Sequence, residues 1–374
     1  MTDDNEKSWI APESTRRARS AIAVSLSFIV LLAGVAVVGW KGFSFYMDWR
    51  QKDDYIGKGD QEIQFIVHPG DGWAVVADGL LGMDIIRDPG MFEREALKLS
   101  DGPFAGTWKL KTKLPAKTAA QMLTDRENQV FVRFTVKEGT RQADMYAFMT
   151  KELGMTQPQI DAAIEAILAD PTAYDVMVPV NGRLEGVLFP DTYLLYPPMD
   201  TEDPALVFQR MAQEFNTVLK DINFEKKAKA LGVSTYDAII IASIIEAEVN
   251  QDQYRPDVAQ AIYNRLNSGM ILQIDTIVNY GLDRSGYANL DNHALNTDTP
   301  YNTYMHKGLP PTPISLPSRA SLEAAVNPTE GKLLYWCAVN LETGETRFAE
   351  TVEQHDVNRQ IYQQWCRDHP DICQ

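Results

Sequence analysis

The chain has 374 residues of ordinary globular composition, 45% apolar and 23% charged. Its formal charge of −16 repels a phosphate backbone and argues against nucleic acid as a partner, while a neutral or mixed-charge polymer is not repelled. Three cysteines (Cys337, Cys366 and Cys373) are too few for a disulfide framework, and with no CxxC or His/Cys cluster no metal or organic cofactor is implied.

Residues 21–40 carry no charge and are dominated by Ala, Val, Leu and Ile. In a helix such a run rises about 30 Å, the thickness of a hydrocarbon core. Arg16, Arg17 and Arg19 precede it, and Lys41 alone follows before Arg50, so residues 1–20 are expected to form a cytoplasmic tail. Trp40, Phe43, Phe45, Tyr46 and Trp49 supply an aromatic belt at the outer interface. The competing reading is a cleaved signal peptide, whose apolar core is usually shorter, about 7–15 residues. Full length and trailing aromatics favour a retained anchor. The expectation is a single-pass plasma-membrane protein with everything after Arg50 extracytoplasmic.

Residues 41–62 read as a linker, polar from 50 onward. A strand at 64–67, the turn Pro69-Gly70-Asp71-Gly72, helices near 73–81 and 89–99, a strand at 106–110 and a helix at 115–123 follow. This strand–helix–helix–strand order over 63–126, with its Val67-x-Pro69-Gly70 turn, resembles a LysM-like module, a fold associated with N-acetylated glycans. A merely structural α/β subdomain reads equally well.

The remainder, 127–374, is expected to be a larger mixed domain, so the fold class is α+β. It begins with a strand at 130–136 and the polar stretch Lys137-Glu138-Gly139-Thr140, then helices near 142–153 and 157–168 and more between 203 and 231. Cys337 lies in an apolar run and reads as a buried, inert thiol. Cys366 and Cys373 either close a short loop in an oxidising compartment or stay reduced.

The stretch from Tyr236 to Val249 is apolar almost all round, begins after Ser234 as an N-cap, and ends in Glu246 and Glu248. Helical spacing groups Ile239, Ala242, Ser243, Glu246 and Asn250, and the small Ala242 and Ser243 are expected to leave ligand space beside Glu246. A carboxyl in apolar surroundings is costly to ionise, which suits a general acid. The bland alternative pairs Glu246 with Arg255 or Arg265. A second amphipathic helix spans 257–266, and the Pro- and Gly-rich tract 301–314 reads as a rigid loop, a groove wall for a sugar chain or simply a packed surface loop.

These segments together resemble the YceG-like family of endolytic murein transglycosylases. The matches are Leu184-Glu185-Gly186 with Phe189-Pro190-Asp191-Thr192-Tyr193, Ala242-Ser243-Ile244-Ile245-Glu246, and Arg255 nine residues later. They continue through Asn264-Arg265-Leu266, the Gly269-to-Asp275 stretch, Tyr301-Asn302-Thr303-Tyr304, and Gly308-Leu309-Pro310-Pro311 to Ile314. Ser321, Ala324, Ala325, Pro328, Phe348 and His355 complete the series, which runs from about residue 130 to 362. Two departures stand out: Ala247 replaces a frequent Lys, and 285–298 is variable.

The resemblance implies that Glu246 is the catalytic acid and base for cutting the MurNAc-β-1,4-GlcNAc bond within glycan strands. The sugar's own C6 hydroxyl would attack and leave a 1,6-anhydro end, so one carboxyl suffices. Arg255, Gln273, Asp275, Asn302 and Tyr304 are the candidates for holding the glycan, each alternatively a structural hydrogen-bonder. His355 could join them, although a lone histidine is more often structural. Expected partners are peptidoglycan strands, the membrane and peptidoglycan synthases. Two alternatives stay open: a glycan-binding scaffold for those synthases, and a hydrolytic muramidase using Glu248 or Asp275 as second carboxylate.

Overall fold

The computed structural model describes residues 34, 37–41, 54–176, 182–198, 200–284 and 290–373. Most of the expected membrane span therefore lies outside the described residues; Gly34 and residues 37–41 are helical. Among the described residues no single helix is long and apolar enough to cross a membrane. The chain divides into two units, Met1–Gln129 and Val130–Gln374.

In the first unit β1 (Glu62–Val67) and β2 (Gly106–Lys111) form an antiparallel pair around α1 (Trp73–Gly82) and α2 (Pro89–Ala96). Strand alternation turns Phe65 and Val67 inward, and the register sets Phe65 opposite Trp108. Helix α2 starts sharply because the Asp88 carboxylate accepts from the Met91 N–H and Pro89 needs no donor partner. It ends at Ala96, earlier than the sequence pattern suggests. Helix α3 (Ala116–Thr124) and β3 (Gln129–Val130), the third strand of the sheet, follow. The end of the expected linker is in fact fastened here. Asp54 accepts from the Ala116 N–H, the Tyr55 hydroxyl donates to Asp84, and the Asp60 N–H donates to the Thr112 carbonyl.

The single strand expected over 130–136 is split. β4 (Val132–Thr135) leaves the first sheet to pair antiparallel with β5 (Thr192–Leu195), because a partner 57 residues downstream, Thr192 opposite Thr135, supplies its ladder. Helices α4 (Gln142–Leu153) and α5 (Gln157–Ala169) lie between these strands in the chain, and α6 (Pro204–Asp221) and α7 (Phe224–Ala230) follow. Next come α8 (Thr235–Glu248), α9 (Arg255–Ser268), α10 (Asp275–Gly281), α11 (Asn292–Asn296) and α12 (Arg319–Ala325). The hairpin β6 (Tyr335–Asn340)–β7 (Glu345–Ala349) and α13 (Val352–Asp368) close the chain.

Helix α8 is the centre of this unit. Ser234 caps it by accepting from the Asp237 N–H, and residues 238–245 are all buried. Each buried Ile contributes on the order of 2 kcal/mol, which is why a helix with no polar face is stable only here. The segment entering α12 is laid along it: Ser243 accepts from the Ile314 N–H, and the Ser315 hydroxyl donates to the Ser243 carbonyl. Gly186 makes that approach feasible, since a Cβ there would collide with the Pro313 ring and its φ of +76 suits glycine. Ser243 is thus fully buried. The ligand space expected beside Ala242 and Ser243 is filled by backbone, a correction no helical spacing could foresee.

Cys366 and Cys373 form a disulfide at the C-terminal end. Cys337 is free and half-buried, and burial pushes its thiol up.

Candidate active site

Val249 is extended and ends α8, so Glu246 sits in its last turn, where side chains reach past the core. Its side chain is 7% accessible and that of Arg255, at the start of α9, is 5% accessible. The guanidinium grips both carboxylate oxygens, Nη1 to Oε2 at 3.1 Å and Nη2 to Oε1 at 3.3 Å. Ser318, the N-cap of α12, adds its N–H to Oε2 at 2.9 Å and its hydroxyl to the same oxygen. Arg255 is itself fixed, Nε to Asp252 at 2.9 Å and Nη1 to the Ser321 hydroxyl. The apolar surroundings expected for Glu246 are therefore replaced by an ion pair and the N-terminus of a helix, both of which compensate negative charge.

A turn packs against this group as well. Gly139 adopts φ +72, and a Cβ on it would lie 3.8 Å from Glu246 Cγ. Its N–H donates to the Leu316 carbonyl and the Leu316 N–H donates to the Thr140 carbonyl, pinning the turn to the strand-like segment that leads to Ser318. The base of the turn is held by Glu185, whose carboxylate accepts from the Gln142 N–H at 3.0 Å and from the Tyr280 hydroxyl at 2.9 Å. Burial pushes Glu185 up to about 7.

A model of the YceG-like family matches residues 65–361. The chain belongs to the YceG-like family. It is 28% identical over 310 residues to the endolytic murein transglycosylase of Bacillus subtilis, covering 78% of this chain and 82% of that one. It is 29% identical over 254 residues to the endolytic murein transglycosylase of Streptococcus pneumoniae strain D39, covering 65% of this chain but only 45% of that longer one. A crystal structure of a yceG-like protein from Listeria monocytogenes shares the fold, with TM-score 0.51 and 21% identity over 79% of this chain and 98% of the other.

Within this YceG-like chain the other residues singled out from sequence separate. Arg255 touches Glu246. Asp275 and Tyr304 meet each other, the Tyr304 hydroxyl donating to Asp275 at 2.6 Å, on an edge built around the second carboxylate, Glu248. Thr276, next to Asp275, donates to Glu248 at 2.5 Å, and Trp336 Nε1 donates at 2.9 Å. Gln273 is exposed and held at φ +48, its N–H on the Thr303 carbonyl at 3.1 Å. Asn302 is fully buried, its amide donating to the carbonyls of Leu295 at 3.1 Å and Thr297 at 2.8 Å, so it organises the loop from within. Arg265 holds the carbonyls of Leu334 and Leu272 and lies 4.8 Å from the Trp336 ring centroid, a structural strut rather than a partner for Glu246. His355 stacks on Tyr335 with centroids 5.1 Å apart.

Two contributors escape a reading of the sequence. Ser318 lies 72 residues beyond Glu246 and carries no local signal except its place as an N-cap before an Ala-rich helix. Gly139 sits on the closing turn, where Glu-Gly-Thr reads as an ordinary turn. Among the described residues no group of His, Cys, Asp and Glu is arranged to hold a metal ion.

Proposed function

We propose that this chain is a membrane-anchored endolytic lytic transglycosylase that cuts MurNAc-β-1,4-GlcNAc bonds within peptidoglycan strands, with Glu246 as both acid and base. The observation that carries it is the held carboxyl of Glu246, gripped by Arg255 and Ser318 at the edge of the core in a family whose relatives bear that activity in their names.

The chemistry follows from one carboxyl used twice. Protonated Glu246 gives its proton to the glycosidic oxygen as the bond to the anomeric carbon breaks, and Arg255 with Ser318 stabilises the carboxylate left behind. That carboxylate then takes the C6 hydroxyl proton as O6 bonds to the anomeric carbon, closing the 1,6-anhydro ring with no water consumed. The fixed Arg255–Ser321 and Arg255–Asp252 contacts keep the carboxyl from swinging between the two steps. Asp275, Tyr304 and Gln273 line the neighbouring edge and supply donors and acceptors for the sugar, while Asn302 keeps that edge rigid. The run at 21–40 anchors the chain and faces the catalytic unit outward, where the Cys366–Cys373 bond is at home. The strand–helix–helix–strand unit is the LysM-like element that lies along the glycan.

The test is direct. Full-length protein in detergent is incubated with purified peptidoglycan and the products are read by mass spectrometry. Anhydro-muramic ends that vanish in Glu246→Gln are expected. Reducing ends would replace this reading with a muramidase, and an inert wild type that binds glycan as well as the variant would replace it with a scaffold.

A further inference from the structure

In the second unit Arg210, Arg255, Arg284, Arg319, Arg347 and Arg359 each rest on a carboxylate, as expected of cations in an acidic chain. Arg141 and Arg183 make no ion pair among the described residues and donate instead to a carbonyl and a hydroxyl. Both converge on one tyrosine. The Arg183 guanidinium donates from Nη1 to the Tyr280 hydroxyl at 3.1 Å. The Arg141 guanidinium lies over the ring of the same tyrosine, 5.4 Å from its centroid. Two like charges gathered on one side chain repel each other, and an anion between them relieves that cost.

The group is built rather than loose. The Tyr280 hydroxyl donates to Glu185 Oε2 at 2.9 Å, and the Gln142 N–H reaches both Glu185 oxygens, at 3.0 and 3.2 Å. The Tyr280 ring leans on Tyr301, with centroids 5.2 Å apart. Arg141 is anchored by its Nη1, which donates to the Arg284 carbonyl at 2.6 Å. Glu185 forms an ion pair with neither guanidinium and is 2% exposed, so it orders the tyrosine without neutralising the cations. Arg183 is exposed and Arg141 half-buried. A guanidinium carries five N–H donors, so one hydrogen bond apiece leaves donors for a ligand. The chemistry is close by: Arg141 follows Thr140 in the turn that sets Gly139 against Glu246, and its Cα is within about 8 Å of that of Gly139.

We propose that Arg141 and Arg183, set around Tyr280, form a subsite for a carboxylate of the peptide that a muramic residue carries beside the bond to be cut. The identity of the ligand rests on the transglycosylase reading; the cation pair does not. Under that reading the substrate is a strand of neutral sugars whose short peptides supply the negative charge. A peptide of four residues extends roughly 13 Å, longer than the step from Gly139 to Arg141. The chain's formal charge of −16 would otherwise repel such a peptide, and the two guanidiniums reverse the sign locally. Their planar donors match a carboxylate in direction as well as in charge. The subsite thus favours strands that still carry their peptides over bare glycan.

The test reads binding and needs no turnover. Two probes are titrated by calorimetry into full-length protein in detergent: a purified disaccharide–tetrapeptide from peptidoglycan, and the same fragment with its carboxyls converted to methylamides. Wild type is expected to bind the free acid about 10-fold more tightly than the amide. Arg183→Gln, a change at an exposed position, is expected to lose most of that preference, and the double variant with Arg141→Gln all of it. Arg183→Lys keeps the charge and is expected to retain part of the preference, which a merely misfolded site would not. Equal wild-type affinity for the two fragments overturns the proposal, as does binding of neither, or a preference that survives in Arg183→Gln and in the double variant. A wild type that shows the preference but yields no anhydro ends from peptidoglycan leaves the subsite standing and sinks the transglycosylase reading instead.

Discussion

The last turn of helix α8 carries two glutamates, and the molecule treats them in opposite ways. Glu246 meets a guanidinium and the first turn of α12; Glu248 meets only neutral donors, the Thr276 hydroxyl and the Trp336 indole N–H. Burial pushes Glu248 up, and its two hydrogen bonds only partly offset that. Residues two apart on a helix project from different faces, so a single turn delivers one carboxyl to a charged pocket and the other to an aromatic one. A buried carboxyl with neutral donors is a structural pin. The other is held by charge, from a fixed cation and the first turn of a helix.

The largest effect that separates the two is on turnover. Glu246→Gln should lower cutting by about 10²- to 10⁴-fold, the usual worth of a general acid and base, with the fold intact by circular dichroism. Glu248→Gln keeps an acceptor for Trp336 and should stay within roughly 10-fold of wild type. Equal losses in the two variants would erase the distinction. Removing the cation comes next: Arg255→Ala leaves Glu246 without its ion-pair partner in a buried place and should cost about 3–5 kcal/mol in denaturant unfolding. Glu246→Gln should cost far less stability.

A third buried carboxyl sharpens the contrast through pH. Glu185, beneath the covering turn, titrates near 7 when folded against 4.5 as its ordinary value, with burial as the main cause. Between those values the folded chain holds more protons than the unfolded one, so stability is greatest below about pH 4.5 on this account and declines as pH rises to about 7. The decline attributable to Glu185 is on the order of 3 kcal/mol, and Glu185→Gln should flatten that part of the stability–pH curve. An unchanged slope would show that the carboxyl titrates normally. The smallest effect belongs to Ser318→Ala, which keeps the N–H on Glu246 but loses the hydroxyl and the helix cap. It should cost about 1 kcal/mol of stability and only a few-fold in cutting.

Much of the catalytic unit is legible in the sequence. Helix α8 announces itself through the Ser234 cap and an unbroken apolar run, because a helix with no polar face can only be a core helix. Its neighbour α9 is legible for a related reason, the alternation of buried and polar positions, although it begins at Arg255 rather than 257. The strand over 130–136 is not, because pairing rather than propensity divides β3 from β4. Asn302, through the family resemblance, and Ser243, through helical spacing, look like groups near a ligand, yet both are spent on the protein's own backbone, one organising a loop and the other sewing a segment to a helix. Nothing in a hydrophilic side chain's identity says whether its partner is a sugar or a carbonyl.

The order of residues is enough to specify the core helix, the two glutamates at its end, an Arg255 nine residues beyond the first of them, and the family to which the chain belongs. Those are properties of periodicity and local order. Packing in three dimensions selects which glutamate receives the cation, brings Ser318 from 72 residues downstream to meet it, and sets the left-handed Gly139 against its side chain. The reason is physical: the charge state of a buried carboxyl is set by what lies within a few ångströms, and those neighbours come from segments whose meeting depends on packing rather than on any pattern along the chain.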